Sequence, residues 1–423
     1  MIKNKIRPSS LQEINRISFR EDINLLRALA VLGVVFYHAK FQIFSSGYLG
    51  VDVFFVISGY LISNIIISEI NKKDFKFRNF YLRRVKRILP ALFLTLVLTL
   101  IPSYILLYPK AFKEYISSLY SSIFFYSNYY FKSLDFYNAE PALYMPLLHT
   151  WSLSVEEQFY IIFPILIFLI YKYFPRHVLY FIIFLFAFSF FVTITNSGID
   201  KFYNIEFRAW QFMSGILAMI LSSSLKIKKI RYLGFSIILL AFIYFDDDWI
   251  LDVEPRLLAT IGTFLVLISD YEKQLNPLFS NKLLNSIGLS SFSLYLFHQP
   301  FFAYFRYYEK VINWEDNQFN DDISTLYKLF IIFILIFFSY FSYKYFEKPF
   351  IKNFDFKKIV FLITSFTLIV FYASSSNKLL DIKYKDIDSS YKISSYVDVK
   401  SYTAKLNGDL CHDVSIEATC VFN

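Results

Sequence analysis

Arg27 and His38 lie inside one apolar stretch, LLRALAVLGVVFYHAKF, long enough to cross a bilayer. On an α-helix, their eleven-residue separation comes to about 20° past three full turns and roughly 16 Å along the axis, so the two share a face. Ionisable groups are costly in hydrocarbon and usually face a bundle interior or a pathway, so a cation and an imidazole on one line through a membrane suggest a functional site. The same residues admit a second reading, an arginine snorkelling to the surface and an unrelated histidine bonded to a neighbouring helix.

Other candidates flank this line. The run RNFYLRRVKRILP carries Arg83, Arg84 and Arg87 ahead of an apolar segment. They read either as anchors beside anionic headgroups or as a phosphate site, because guanidinium matches phosphate oxygens bidentately. The block HTWSLSVEEQFY presents His149, Trp151, Ser154, Glu156 and Glu157 where another span begins. The two acids either complement a helix N-terminus or serve an active site, with a sugar-binding cleft as the chemistry that acids, Trp and His at a bundle mouth would suit. Asp52, at the start of the next apolar run, enters the membrane at the depth where His38 leaves it, so a carboxylate–imidazole pair is expected there. Ser58 and Gly59 in the same run read as small residues for close helix packing. His298, in SSFSLYLFHQP, falls at mid to outer depth of a later span, as a structural or a substrate-binding histidine. Cys411 and Cys420 close a short loop in the tail and are expected to form a disulfide. No Cys or His cluster has metal-ligand spacing, and no glycine-rich nucleotide loop is present.

The elements that must position these residues follow from composition. Over 423 residues, 56% are hydrophobic and 21% aromatic, and the mean hydropathy is +0.44. Such a chain is far too apolar for a soluble protein and reads as an all-α, polytopic transmembrane bundle. The net charge of +9 resides in short loops between apolar runs, the positive-inside pattern rather than a nucleic-acid surface. Hydropathy marks spans near 24–43, 50–70, 88–108, 158–174, 178–194, 208–224, 232–246, 256–270, 286–305, 326–346 and 359–375, each of a length suited to about 30 Å of hydrocarbon. The basic residues from Lys72 to Arg87 place their loop and the N-terminus in the cytoplasm, and acidic stretches around 246–254 and 309–322 fall outside. The serine-, tyrosine- and asparagine-rich segment 115–131 would break this alternation as a span, so it is expected to be re-entrant or interfacial. That leaves a cytoplasmic segment 1–23, a ten-span unit over 24–352, an eleventh span at 359–375 and an extracytoplasmic tail at 376–423. No short apolar region with a small-residue cleavage site precedes the first span, which is expected to stay as a helix.

Taken together, RALAVLGVVFYHA, GYLGVDVFFVISGYLI, FYLRRVKRILP, HTWSLSVEEQFYIIFPI, FRAWQFMSGIL, SLYLFHQP and YFEKPFIK resemble, in order and spacing over residues 21–352, the acyltransferase-3 family of membrane O-acyltransferases. The resemblance implies a bacterial inner-membrane enzyme that moves an acyl group, usually acetyl, from cytoplasmic acyl-CoA to an extracytoplasmic glycan hydroxyl. The glycan would be O-antigen, capsule, exopolysaccharide or peptidoglycan. By motif match, Arg27 and His38 would be the essential pair and the arginines near Arg83 the CoA contacts. Acyl-CoA would be a donor substrate, with no permanently bound cofactor.

Members with an eleventh span commonly continue into an SGNH-type domain. Here NGDL at 407–410 lacks that domain's serine, so the expectation is a chain that stops before it. A separate SGNH polypeptide would then complete the reaction, or the ten-span unit would act alone, or the product is truncated. A reading from another class is a transporter or flippase using the charged line as its path. It predicts inverted repeats and interrupted helices, and the sequence displays neither clearly.

Overall fold

A computed structural model describes residues 19–134, 141–222, 229–270, 281–312, 325–352, 357, 361, 364–368, 370, 405–406 and 409–410. Cys411, Cys420, the N-terminal segment to residue 18 and most of the predicted eleventh span lie outside the described residues. The chain divides into a unit ending at Ile363 and a second from Thr364. The described part of the second is a short helical stretch and an antiparallel ladder pairing Lys405 with Leu410 and Leu406 with Asp409.

The first unit is a membrane helix bundle. Its helices are α1 (Glu21–His38), α2 (Gly50–Asn71), α3 (Phe77–Leu106), α4 (Pro109–Ile123), α5 (Ser127–Lys132), α6 (Thr150–Tyr173), α7 (Val178–Thr195), α8 (Asp200–Tyr203), α9 (Ala209–Ser222), α10 (Ile230–Tyr244), α11 (Val253–Ile268), α12 (Lys282–Leu289), α13 (Ser291–Ile312), α14 (Thr325–Ser342) and α15 (Lys348–Lys352). Among the described residues, five helical stretches are long and apolar enough to cross a membrane: Gly47–Asn71, Phe77–Leu106, Thr150–Tyr173, Val178–Thr195 and Thr325–Ile351.

Burial sorts these helices into an inner and an outer set. The apolar window of the stretch containing α2 is 83% buried and that of α7 only 22%, so α2 runs through the centre while α7 turns Tyr180, Phe184, Phe188 and Phe191 outward. A helix apolar all round suits a bundle interior, and an outward apolar face suits lipid. The α2–α9 crossing depends on two glycines. A Cβ on Gly59 would stand 2.0 Å from the Phe212 carbonyl oxygen, and one on Gly215 2.0 Å from that of Val56. The expectation that Gly59 serves close packing holds.

Three helix boundaries differ from the hydropathy reading, and each moves a functional residue. α1 ends at His38 rather than at 43, and a left-handed Lys40 (φ 58) turns the chain out of it. α3 starts at Phe77, eleven residues before the apolar run, so Arg83, Arg84 and Arg87 lie within a helix and not in a loop. α6 starts at Thr150, which places Glu156 and Glu157 in its second turn. Helical hydrogen bonding continues past the edge of an apolar run wherever long charged side chains can reach polar surroundings.

Residues 115–131 form part of a hairpin rather than a span. α4 ends, Phe125 takes a positive φ of 55°, and α5 follows. A seam of hydroxyls ties this hairpin to α6, with Ser122 bonded to Thr150 at 2.8 Å and Ser127 to Ser154 at 2.7 Å.

Candidate functional site: an arginine cleft and a histidine vestibule

Helix α1 carries Arg27 and His38 into two different clefts. Arg27 lines a cleft with about 800 Å³ of unfilled space, shared with Arg84, Arg87, Ser58, Glu156 and Tyr160. Arg27, Arg84 and Arg87 also line a second cleft of about 970 Å³ that opens beside Phe19 and Arg20. Three arginines therefore ring the junction between these spaces. Among the described residues none of the three forms a salt bridge, and the Arg84 Nε is buried without a hydrogen-bond partner. Cations held partly out of water without a counter-ion are costly, so the three arginines around this open space form a candidate anion site.

Two of the α3 arginines, Arg84 and Arg87, reach it. Arg84 and Arg87 are three residues apart on α3 and Arg83 and Arg87 four, so Arg87 lies in phase between the other two and phase alone does not exclude Arg83. Arg83 instead pairs with Glu69 at 2.9 Å, which removes it from the expected phosphate contacts. On α6, Ser152, Glu156 and Tyr160, at successive four-residue intervals, share a face and line the arginine cleft. The Glu156 carboxylate accepts hydrogen bonds from the hydroxyls of both Ser58 and Tyr160. Ser58 thus touches the site chemistry that the sequence reading denied it. Glu157 and Ser154 point elsewhere. Glu157 lines neither cleft, and Ser154 is spent on Ser127.

His38 lines a third cleft, of about 1050 Å³, together with His149, Trp151, Asp52, Arg208 and Tyr37. Val51 and Tyr295 line both this vestibule and the arginine cleft, so the two spaces meet at that pair. The Tyr295 hydroxyl is held by Ser152 at 2.5 Å and by the His149 carbonyl at 3.0 Å. Three imidazoles cluster at this end. The rings of His38 and His298 are 5.0 Å apart and those of His149 and His298 5.3 Å. Arg306 donates to the backbone carbonyl of His38 and fixes the end of α1.

Asp52 does not pair with His38. Its carboxylate is bound by Arg208 at 2.9 Å and by the Gln211 amide. The acid borders the vestibule as half of an ion pair, and the imidazole faces another imidazole. The structure brings Arg27, Arg84, Arg87 and Glu156 together at one end and His38, His149, Trp151 and His298 at the other.

Sequence reasoning missed Tyr160, Tyr295, Arg208 and Glu347. Arg208 stood in the quoted motif FRAWQFMSGIL and Glu347 in YFEKPFIK, and an ionisable residue in an apolar run was the available signal. Glu347 sits on a π-helical turn, Tyr343–Glu347, where it is buried and accepts from Ser293. No group of three or more metal-ligating side chains could hold an ion among the described residues.

A helix bundle with long apolar spans, in which an arginine-lined cleft adjoins a histidine-lined one, defines a polytopic membrane protein. Residues 20–343 match the acyltransferase-3 family model, described as an acyltransferase domain, and the chain belongs to that family. The chain is similar to the O-acetyltransferase OatA of Staphylococcus aureus strain NCTC 8325 / PS 47, with 32% identity over 307 residues, covering 67% of this chain and 50% of that protein. OatA of strain COL matches to the same extent. The chain thus spans about half the length of the curated relatives it matches. No solved structure matches it.

Proposed function

We propose that the protein is an acyl-CoA-dependent O-acyltransferase that moves an acetyl group across a bacterial inner membrane to a hydroxyl of a surface glycan. The row of three clefts carries the reading, with an unpaired arginine cluster at one junction and histidines beyond the other. The arginine end faces the cytoplasm, in keeping with the basic residues that follow α2. Arg84, Arg87 and Arg27 hold the donor diphosphate through charge-assisted bonds. The pantetheine arm then runs parallel to α1. About thirteen bonds separate diphosphate from thioester sulfur, and at roughly 1.2 Å of advance per bond they span about 16 Å, the rise from Arg27 to His38.

At the vestibule, neutral His38 accepts the proton of the glycan hydroxyl as its oxygen attacks the thioester carbonyl. The carbon–sulfur bond breaks, the ester forms, and the departing CoA thiolate takes the proton from His38. The acceptor is a glycan such as O-antigen, capsule, exopolysaccharide or peptidoglycan, lodged among Trp151, Tyr37 and His149. The test is base-labile acetyl-ester content of surface glycan, measured by NMR in a strain lacking the gene and complemented with wild type or His38→Ala. Ester restored by wild type alone supports the reading, and ester restored equally by both removes His38 as the base.

A further inference from the structure

A general base in a membrane interior needs its ring held in one tautomer, and the expected carboxylate, Asp52, is occupied by Arg208 and Gln211. The residue packed against His38 is His298, with 0% of its surface exposed. Its Nδ1 lies 2.5 Å from the Tyr295 carbonyl oxygen. A carbonyl only accepts, so Nδ1 carries the hydrogen and Nε2 of the neutral ring is left as a lone pair. That Nε2 is buried without a partner, and so is Nδ1 of His38. His298 Nε2 and His38 Nδ1 are therefore an unpaired buried acceptor and potential donor on neighbouring rings, with the two unpaired nitrogens of His149 on a ring 5.3 Å from His298. A centroid separation of 5.0 Å leaves roughly 3 Å between facing rim atoms, the range of an N–H···N hydrogen bond. Catalytic hydrogen bonds often align fully only in the substrate complex.

We propose that His298 is a positioning residue whose Nε2 accepts a hydrogen bond from Nδ1–H of His38. This inference rests on the acyl-transfer reading and deepens it. The bond keeps the proton of neutral His38 on Nδ1, presents its Nε2 lone pair to the hydroxyl in the vestibule, and stabilises the imidazolium formed when the hydroxyl proton arrives. The proton on Nδ1 stays with His38, and the one gained at Nε2 leaves with CoA. An imidazole suits this place because an uncharged acceptor avoids the desolvation cost of a second buried carboxylate.

The test uses the full chain in nanodiscs. It holds five histidines, so ¹⁵N-histidine NMR resolves tautomers, with His38→Ala assigning that ring. Wild type is expected to show His38 as the Nδ1–H tautomer. His298→Phe, which keeps a ring but no acceptor, is expected to mix tautomers. It should also lower kcat for CoA release from acetyl-CoA by about 10- to 100-fold, the usual effect of losing a residue that orients a functional imidazole, with KM for acetyl-CoA unchanged. His298→Gln, whose oxygen falls near the position of Nε2, is expected to recover most of that loss. A wild-type His38 protonated on Nε2 instead of Nδ1 overturns the proposal whether or not the variants fold. So does a folded His298→Phe with an unaltered tautomer and kcat. Failure of wild type to release CoA would count against the acyl-transfer reading, while the wild-type tautomer would still decide this one.

Discussion

Arg208 and Asp52 form an ion pair of 2.9 Å in which neither side chain is more than 3% exposed. The Arg208 guanidinium also lies against the rings of Trp151 and Phe202, at 5.4 and 5.1 Å. Removing one partner leaves the other charge buried and alone, which costs about 3–5 kcal/mol. Asp52→Ala is expected to lower the thermal midpoint in detergent sharply. The double variant Asp52→Leu/Arg208→Met should recover most of it, because well-packed apolar residues often replace a buried pair at little cost. Scanning fluorimetry of the two proteins checks this, and a double variant as unstable as the single one would refute it.

Arg83 and Arg84 are adjacent in sequence yet face different partners, so their neutral variants should behave differently. Losing a hydrogen bond to a charged group costs about 1.5–3 kcal/mol. Arg84→Gln and Arg87→Gln should thus each raise the KM for acyl-CoA by roughly 10- to 100-fold. Arg83→Gln removes a partly exposed pair with Glu69, for which roughly 0.2–1 kcal/mol of stability is typical, and should leave KM alone. Binding of labelled CoA to the three proteins separates the outcomes.

The α2–α9 crossing gives a prediction independent of chemistry. With the Phe212 carbonyl 2.0 Å from a Cβ at position 59, Gly59→Ala forces two helix backbones apart. Overpacking typically costs about 1–3 kcal/mol and here acts on backbone, which yields less than a side chain. The variant should shift from a monodisperse peak towards aggregate in fluorescence-detected chromatography, whereas Gly198→Ala meets no neighbouring atom and, at φ 95°, should strain only its own turn without parting two helices.

Tyr295 sits where the arginine cleft meets the vestibule, and its removal should change the outcome of the reaction more than its rate. If the protein transfers acyl from CoA as proposed, Tyr295→Ala should let water reach the thioester, so CoA release should exceed ester formation relative to wild type. Simultaneous measurement of free CoA and glycan ester reads this ratio. An unchanged ratio would show that Tyr295 screens nothing.

The helical bundle and the Arg27–His38 line were legible because both rest on local pattern: apolar runs of membrane length, and two ionisable residues in phase on one of them. What local pattern could not supply was partnership across the chain. Asp52 was expected beside His38 because the two ends of a short connection lie at one depth, but its partner Arg208 is 156 residues away. Arg83 was grouped with Arg84 and Arg87 because they adjoin in sequence, whereas its partner is Glu69, on the preceding helix α2. Glu156 was expected at an outer mouth because its span was begun at 158. Starting the helix at Thr150 carries that acid inward to Ser58 and the arginine cleft.

Under the proposed function, the meeting of the two clefts at Val51 and Tyr295 also bears on the cell's energy supply. A bacterial membrane stores work as a voltage and a proton gradient, and a pore wide enough for a pantetheine arm would discharge both if it filled with water from end to end. Val51 offers no hydrogen bond to an ion's hydration shell, and the Tyr295 hydroxyl is already taken by Ser152 and the His149 carbonyl. Under the proposed acyl transfer, this junction would insulate as well as join, so that an acyl group crosses there while the gradient is kept.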